Sequence, residues 1–247
     1  GQLGGRAQVF EREGFRHDAG PTVITAPFLF EELFALFGER FADHVELVPL
    51  TPWYRFTFAD GGHFDYGGTL DQTLAEIGRI SAADRDGYLR LLEHSKRIFD
   101  IGFTRLADKP FDRLRTLLRV IPSLIRLRCD RTVWCLVKTF LKDDKLRQAF
   151  SIQPLLVGGN PFDTTSIYGL IHYLERAHGV FFAMGGTGAI TRALGALMER
   201  RGVAVQLGRT VRRIRIEAGA DTAKEMAGGG VIIRVLGASP GVEASCV

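Results

Sequence analysis

Asp144 and Arg147 stand three apart in the chain, a spacing that puts both side chains on one face of a helix. A carboxylate beside a guanidinium can take up and hand on a proton when apolar surroundings perturb it. Leu146, Ala149, Phe150, Ile152, Leu155 and Leu156 crowd the same stretch and suggest such a pocket. The competing reading is an exposed ion pair of little energetic value. Two glycine turns form a second constellation. Gly4-Gly5-Arg6-Ala7 is a tight turn, and Gly185-Gly186-Thr187-Gly188 opens a helical pattern. Glycine reaches positive φ cheaply, and the free amides and dipole of a helix start attract anions. Either cluster alone is more often an ordinary loop. Two of them together suit the clasping of a long dinucleotide.

Other chemistries lack support. The six histidines (17, 44, 63, 94, 172 and 178) show no metal-ligand spacing, and neither G-x-S-x-G nor H-E-x-x-H occurs. His172, between Ile171 and Tyr173, reads as a core or helix-surface residue. Cys129, Cys135 and Cys246 are odd in number and without C-x-x-C spacing, which suits reduced thiols in a cytosolic setting with packing roles.

The elements that must position these residues come from a chain of 247 residues, 46% hydrophobic and 24% charged, the composition of an ordinary folded protein. No apolar run approaches the roughly 20 residues of a membrane-spanning helix. The Gly-rich start carries no apolar h-region, so no secretory signal is expected within it. The net charge is +4, but it is unevenly placed. From Phe103 to Arg131 eight basic residues face three acids, so an anionic partner would be met there. Leu114, Leu117, Leu118, Ile121 and Ile125 fall on one helical stripe with Arg115, Arg119 and Arg126 roughly opposite. A membrane surface suits that basic amphipathic pattern, and a plain surface helix suits it as well. Nucleic acid does not, for want of interleaved aromatics.

Gln8-Val9-Phe10 predicts a strand, followed after Gly14 by a second extended piece into Asp18-Ala19-Gly20-Pro21. The Gly-Pro pair suggests a chain held close to something. Residues 28–37 predict a helix with Phe30, Leu33, Phe34 and Phe37 on its face and Gly38 as its stop. Strands are expected over 45–50, 53–58 and 63–66, the last two as a hairpin around Asp60-Gly61-Gly62. Residues 71–142 read as helical with breaks near Ser81, Pro110 and Pro122, Ser81 capping one helix and Asp84 at its third position. Ser166 to Arg176 is helical again, and a strand at Phe181-Phe182-Ala183 leads into a helix from Thr187 to Arg201. Val203–Leu207 predicts a strand, and Val211, Ile214 and Ile216 mark another extended run. Beyond Glu217 the periodicity fades.

Taken together, Gly4-Gly5-Arg6-Ala7, FRHDAGPTVI (15–24), LRQAFSIQPLLVGGNPF (146–162), Ser166-Ile167-Tyr168 and Gly185-Gly186-Thr187-Gly188-Ala189 resemble the bacterial-type phytoene desaturases, flavoproteins of the carotenoid pathway. The resemblance runs from Gly4 to about Ile216, and the 146–162 stretch is its most specific part. It implies an α/β (α+β) chain with an amine-oxidase-like fold: an FAD-binding Rossmann-type domain, incomplete here, and a substrate domain of mixed sheet plus helices. The expected division is 1–25 as a remnant of the FAD domain, 26–180 as substrate and membrane-associating domain, 181–216 as the return to the FAD domain, and 217–247 as a divergent tail.

By the same resemblance Gly4, Gly5 and Arg6 would touch the FAD pyrophosphate and ribose. Asp18, Gly20, Pro21 and Thr22 would lie near the flavin, Gly185 and Gly186 would complete the clasp, and Val211 would offer backbone contacts to the adenine. The implied reaction is desaturation of phytoene or a related carotenoid precursor, an apolar polyene substrate. Hydride would pass to the flavin and a proton to a base. Asp144 is the expected proton acceptor and Arg147 its orienting partner. Gln153 stands where relatives commonly carry histidine. The partners implied are a membrane surface, contacted peripherally at the inner face of the cell membrane, and quinone or oxygen as electron acceptor. No metal or nucleic acid is expected. The G-x-G-x-x-G unit and a Gly-Asp segment of the family are not found in the chain, so the expectation is a sequence incomplete at both ends that alone binds FAD weakly. The alternatives are a non-catalytic fragment that binds apolar lipids, or a related flavin oxidoreductase or isomerase.

Overall fold

A computed structural model describes residues 2–103, 121–122 and 125–208, together with the backbone of 213–215, 232–236 and 244–245. By its contacts the chain divides into two units, Arg6–Ala193 and Gly1–Gly5 with Leu194–Val247. The breaks expected after residues 25 and 180 both fall inside the larger unit. The cause is a sheet of β3 (Leu47–Pro49) and β6 (Phe181–Ala183), in which Val48 stands opposite Phe182, and an antiparallel bridge from Ile24 to Phe181.

The unit Arg6–Ala193 opens with the antiparallel hairpin β1 (Val9–Arg12) and β2 (Phe15–Asp18). Gly14 supplies the turn at φ 80°, the left-handed region that glycine enters without strain. Helix α1 (Pro27–Ala35) begins on a proline, whose missing N–H costs nothing at a helix start. Of its predicted apolar face Phe34 is buried against Phe41, whereas Leu33 and Phe37 are exposed.

The hairpin of β4 (Tyr54–Thr57) and β5 (His63–Tyr66) forms as the Asp60-Gly61-Gly62 signal predicts. Phe64 and Tyr66 point into the main core, which α2 (Leu70–Ile80), α3 (Arg85–Gly102), α4 (Val133–Phe140) and α5 (Asp144–Ala149) complete with Ile77, Tyr88, Leu91, Val137 and Leu146. Each such side chain contributes about 1.5–3 kcal/mol on burial.

The capping box lies at α2 and not at Ser81. Thr69 Oγ1 accepts the Gln72 amide at 3.2 Å, and Gln72 Oε1 accepts the Thr69 amide at 2.8 Å. Ser81 makes no cap bond, because only a short 3₁₀ turn, Ala82–Asp84, follows it. The buried Asp84 carboxylate instead accepts the amides of Lys142 and Asp143 at 2.8 and 2.9 Å, tying the start of α3 to the α4–α5 connection.

Helix α6 (Leu170–His178) packs on α3 and leads to β6, after which α7 (Thr187–Arg200) runs across the boundary of the two units. Its C-terminal half belongs with Gly1–Gly5, where Gly195 sits against Leu3. The strand predicted at Val203–Leu207 does not form. Those residues are exposed, and apart from the Val203 amide donating to the Met198 carbonyl at 3.0 Å they join no ladder among the described residues; an extended segment without a ladder partner has no strand to join. In the same unit β7 (Arg213–Arg215) pairs antiparallel with β8 (Ile232–Leu236), and β8 with β9 (Ala244–Ser245). The region beyond 217 therefore holds paired strands where the sequence pattern fades. Val211, the rest of that region and most of the basic segment 103–131 lie outside the described residues.

Candidate functional site

Asp143 caps α5 by accepting the Lys145 and Leu146 amides at 2.9 and 3.1 Å, so Asp144 enters the first turn and Arg147 follows on the same face. Arg147 Nη1 donates to Asp144 Oδ1 at 2.7 Å, and its Nε donates to the Leu141 carbonyl at 2.9 Å. The Arg147 side chain is largely covered, at 19% exposure, but the Asp144 side chain is 77% exposed. The expected apolar enclosure of the pair is thus corrected. Leu146, Ala149 and Phe150 are buried on the other side of the helix, and Leu155 and Leu156 are themselves exposed. Asp144 sits at a surface where an approaching molecule would meet it directly.

Gly4 and Gly5 hold φ values of 123° and 51°, and nothing lies within 4 Å of where a Gly5 side chain would point. A single 3₁₀ turn, Gly5–Ala7, follows. Gly20 packs its Cα on the Arg6 carbonyl so closely that a Cβ would collide with it, which is the close approach its Gly-Pro sequence suggests.

Gly185 and Gly186 also hold positive φ, 83° and 72°, but the anion site expected at the start of α7 is already filled. Asp18 Oδ2 accepts the Thr187 amide at 3.1 Å, Thr187 Oγ1 donates to the Pro21 carbonyl at 2.5 Å, and a side chain at Gly186 would meet the Asp18 carboxylate at 2.5 Å. A resident carboxylate repels a second anion from the same amides. Asp18, Pro21 and Gly186 therefore meet as a latch between hairpin and helix. Thr22 is exposed beside them.

A third group joins His172, which is in the core, and Gln153 to residues that sequence reasoning did not single out. Tyr54 donates to Glu175 Oε1 at 2.8 Å; Tyr54 packs against the main core and Glu175 is buried. Arg176 donates to the Gly68 carbonyl at 2.6 Å and to Thr73 Oγ1 at 2.7 Å, with its guanidinium 4.5 Å from the Trp53 ring centre. Gln153 Nε2 lies 3.0 Å from His172 Nδ1, and both residues are buried. Burial pushes the Glu175 carboxyl up to about 7, with Tyr54 and Arg176 opposing only in part. Burial also pushes His172 down to about 4, partly offset by the Phe150 backbone. Glu175 escaped notice because Glu-Arg on an amphipathic helix reads as solvated. Its place three residues after His172 was the available signal. No cluster of potential metal ligands occurs among the described residues.

The sequence profile of flavin containing amine oxidoreductases matches residues 1–232. The chain is 46% identical to a lycopene-forming phytoene desaturase of Pantoea ananas over 83% of its length, covering 42% of that protein. It is 42% identical to one of a Paracoccus species over 96% of its length, covering 48% of that protein. It is 44% identical to one of Pseudescherichia vulneris over 85%, covering 43%. It thus spans about half the length of these relatives. Among solved structures a redesigned putrescine oxidase shares the fold at a TM-score of 0.51 with 14% identity, over 96% of this chain and 47% of the oxidase. FAD is the cofactor indicated by the family profile.

Proposed function

The chain belongs to the flavin containing amine oxidoreductases, and from that premise we propose that it is part of an FAD-dependent desaturase acting on phytoene or a related carotenoid precursor. The observation that carries this reading is 42–46% identity to lycopene-forming phytoene desaturases over 83–96% of the chain. Flavin supplies a two-electron sink that accepts hydride from a saturated C–C unit. Gly4, Gly5 and Arg6 are the residues proposed to hold it, because Gly4 and Gly5 carry positive φ and the space beside Gly5 is open, where a phosphate or ribose needs close approach. The start of α7 does not fit an anionic group, since Asp18 occupies it. Asp18 and Pro21 tie the hairpin to α7 and Gly20 packs on the Arg6 carbonyl; with Thr22 they are proposed to border the flavin, and Gly185 and Gly186 give α7 room to meet the hairpin.

Desaturation also releases a proton, which the protein must take. Asp144 is the proposed acceptor. Arg147 holds Asp144 Oδ1, and Arg147 is itself fixed by the Leu141 carbonyl. An exposed carboxylate suits this task where a bilayer-derived substrate covers it. The membrane surface is the proposed source of that substrate, with the basic segment 103–131 as the contact at the inner face of the cell membrane and quinone or oxygen as the acceptor that reoxidises the flavin. Exposed Ile125 and Arg126 at its described end support this reading.

Exchanging the aligned 238-residue segment of the Paracoccus relative for that of this chain tests the proposal. The hybrid is expected to load FAD and convert phytoene into products with longer conjugation, read by visible absorbance. A folded, flavin-loaded hybrid that leaves phytoene unchanged would overturn the reading.

A further inference from the structure

The end of the basic segment is pinned to the core through its backbone. The Leu127 carbonyl accepts His94 Nε2–H of α3 at 2.9 Å, the Arg128 carbonyl accepts Ser166 Oγ–H at 2.6 Å, and the Cys129 carbonyl accepts Thr165 Oγ1–H at 2.7 Å. The Arg131 carbonyl accepts the Ser166 amide at 2.8 Å. Arg128 holds φ 58°, a conformation that a residue with a side chain keeps only where its surroundings fix it. These bonds use main-chain oxygens, so the side chains of Arg128 and Arg131 stay exposed.

Beside this turn, α3 and the end of α4 form an open groove of about 390 Å³ lined by Leu89, Arg90, Glu93, His94, Arg97 and Phe140. The α3 residues share one face because they recur three and four apart. The Phe140 ring lies 5.5 Å from the His94 ring and gives the groove an apolar wall. Arg90 makes no ion pair among the described residues. Arg97 meets Glu93 at 3.3 Å, with both side chains more than half exposed, a pair of little energetic value that leaves the guanidinium available. Burial holds the His94 imidazole below its ordinary value; the Leu127 carbonyl opposes this, and Arg128, Arg97 and Arg131 push it down further. Arginines of α3 and of the turn therefore act on the same point. Arg90, Arg97, Arg128 and Arg131 outnumber the neighbouring acids, Glu93 and Asp130, and a cleft with such an excess concentrates anions.

We propose that the groove between α3 and the 127–131 turn binds the phosphate of an anionic phospholipid headgroup, with Arg90 and Arg97 as its direct contacts and Arg128 and Arg131 as flanking charge. A guanidinium fork matches two phosphate oxygens at once, and Arg serves this task better than Lys. The groove is partly apolar, which favours a lipid over free phosphate. Leu89 is 39% exposed on its rim, and Ile125, two residues before the pinned Leu127, is 60% exposed. Those side chains can cover a glycerol and acyl portion that a bare phosphate lacks. The inference rests on the membrane role proposed for 103–131 and assigns it a particular headgroup contact.

The test is co-sedimentation of the 247-residue chain with phosphatidylcholine vesicles made with and without phosphatidylglycerol. Arg90→Gln/Arg97→Gln is compared with Arg12→Gln/Arg16→Gln, which removes the same charge from the exposed first hairpin. The α3 variant is expected to weaken partition onto phosphatidylglycerol vesicles at least about tenfold, and the hairpin variant less than about threefold. Equal losses in the two variants would overturn the site while leaving the membrane role in place. A wild type that ignores phosphatidylglycerol vesicles would overturn both. Inorganic phosphate, titrated by calorimetry at matched ionic strength, forms the second arm. Phosphate binding that the α3 variant abolishes while its vesicle binding stays intact would overturn the lipid assignment.

Discussion

Glu175 and His172 lie three residues apart on one helix, and the loss of water around them holds both in their neutral forms. Their effects on stability have opposite signs. The Glu175 carboxyl rises from 4.5 to about 7 on folding, so its contribution is complete below about 4.5 and is lost as pH climbs through 7. The His172 imidazole falls from 6.5 to about 4, so its contribution is complete above about 6.5 and is lost as pH drops through 4. Between about 4.5 and 6.5 the two slopes cancel, each being up to about 1.4 kcal/mol per pH unit. Urea unfolding across this range should therefore show nearly constant contributions from the pair. Glu175→Gln should make stability climb with pH, and His172→Gln should make it fall. Parallel slopes in the two variants would contradict the assignment. Asp144 makes a contrasting case, because it is exposed. Asp144→Asn should change stability by no more than about 0.5 kcal/mol, yet it should lower phytoene conversion by the hybrid enzyme at least tenfold. Undiminished turnover would remove Asp144 from the reaction.

At the scale of elements, the latch between the first hairpin and α7 is the most specific feature. Gly186→Ala combines a left-handed φ of 72° with a Cβ 2.5 Å from the Asp18 carboxylate, and should cost about 1–3 kcal/mol in chemical denaturation. Asp18→Ala removes the acceptor for the Thr187 amide and should cost about 1 kcal/mol. An anion-binding reading of this turn would predict instead that Asp18→Ala raises phosphate affinity without loss of stability. The sequence made the two glycine turns, both hairpins and most helices legible, since alternation and Gly or Pro punctuation are local signals. Thr69-Leu-Asp-Gln72 carries the capping-box pattern in its sequence too, although the cap is expected at Ser81. What it hid were partnerships between distant residues: Asp18 with Thr187, Asp84 with the Lys142 amide, Tyr54 with Glu175. A capping acid and an exposed acid look alike in sequence, and only the long-range contact separates them. The failed strand at Val203–Leu207 has the same cause in reverse, because its β-branched residues find no ladder partner among the described residues.

For the whole molecule, the charge of the basic segment makes a prediction of its own. Eight basic residues against three acidic ones over 103–131 should carry the chain onto anionic vesicles at low salt and release it at high salt. No sedimentation with such vesicles at low salt would contradict the membrane role. The central claim, that this family member removes hydrogen from a carbon chain and not from an amine, is most directly tested in the hybrid enzyme without oxygen. Adding phytoene in vesicles should bleach the oxidised flavin absorbance while conjugated polyene appears in step with it. A flavin that stays oxidised with phytoene but bleaches with a simple amine would contradict the account.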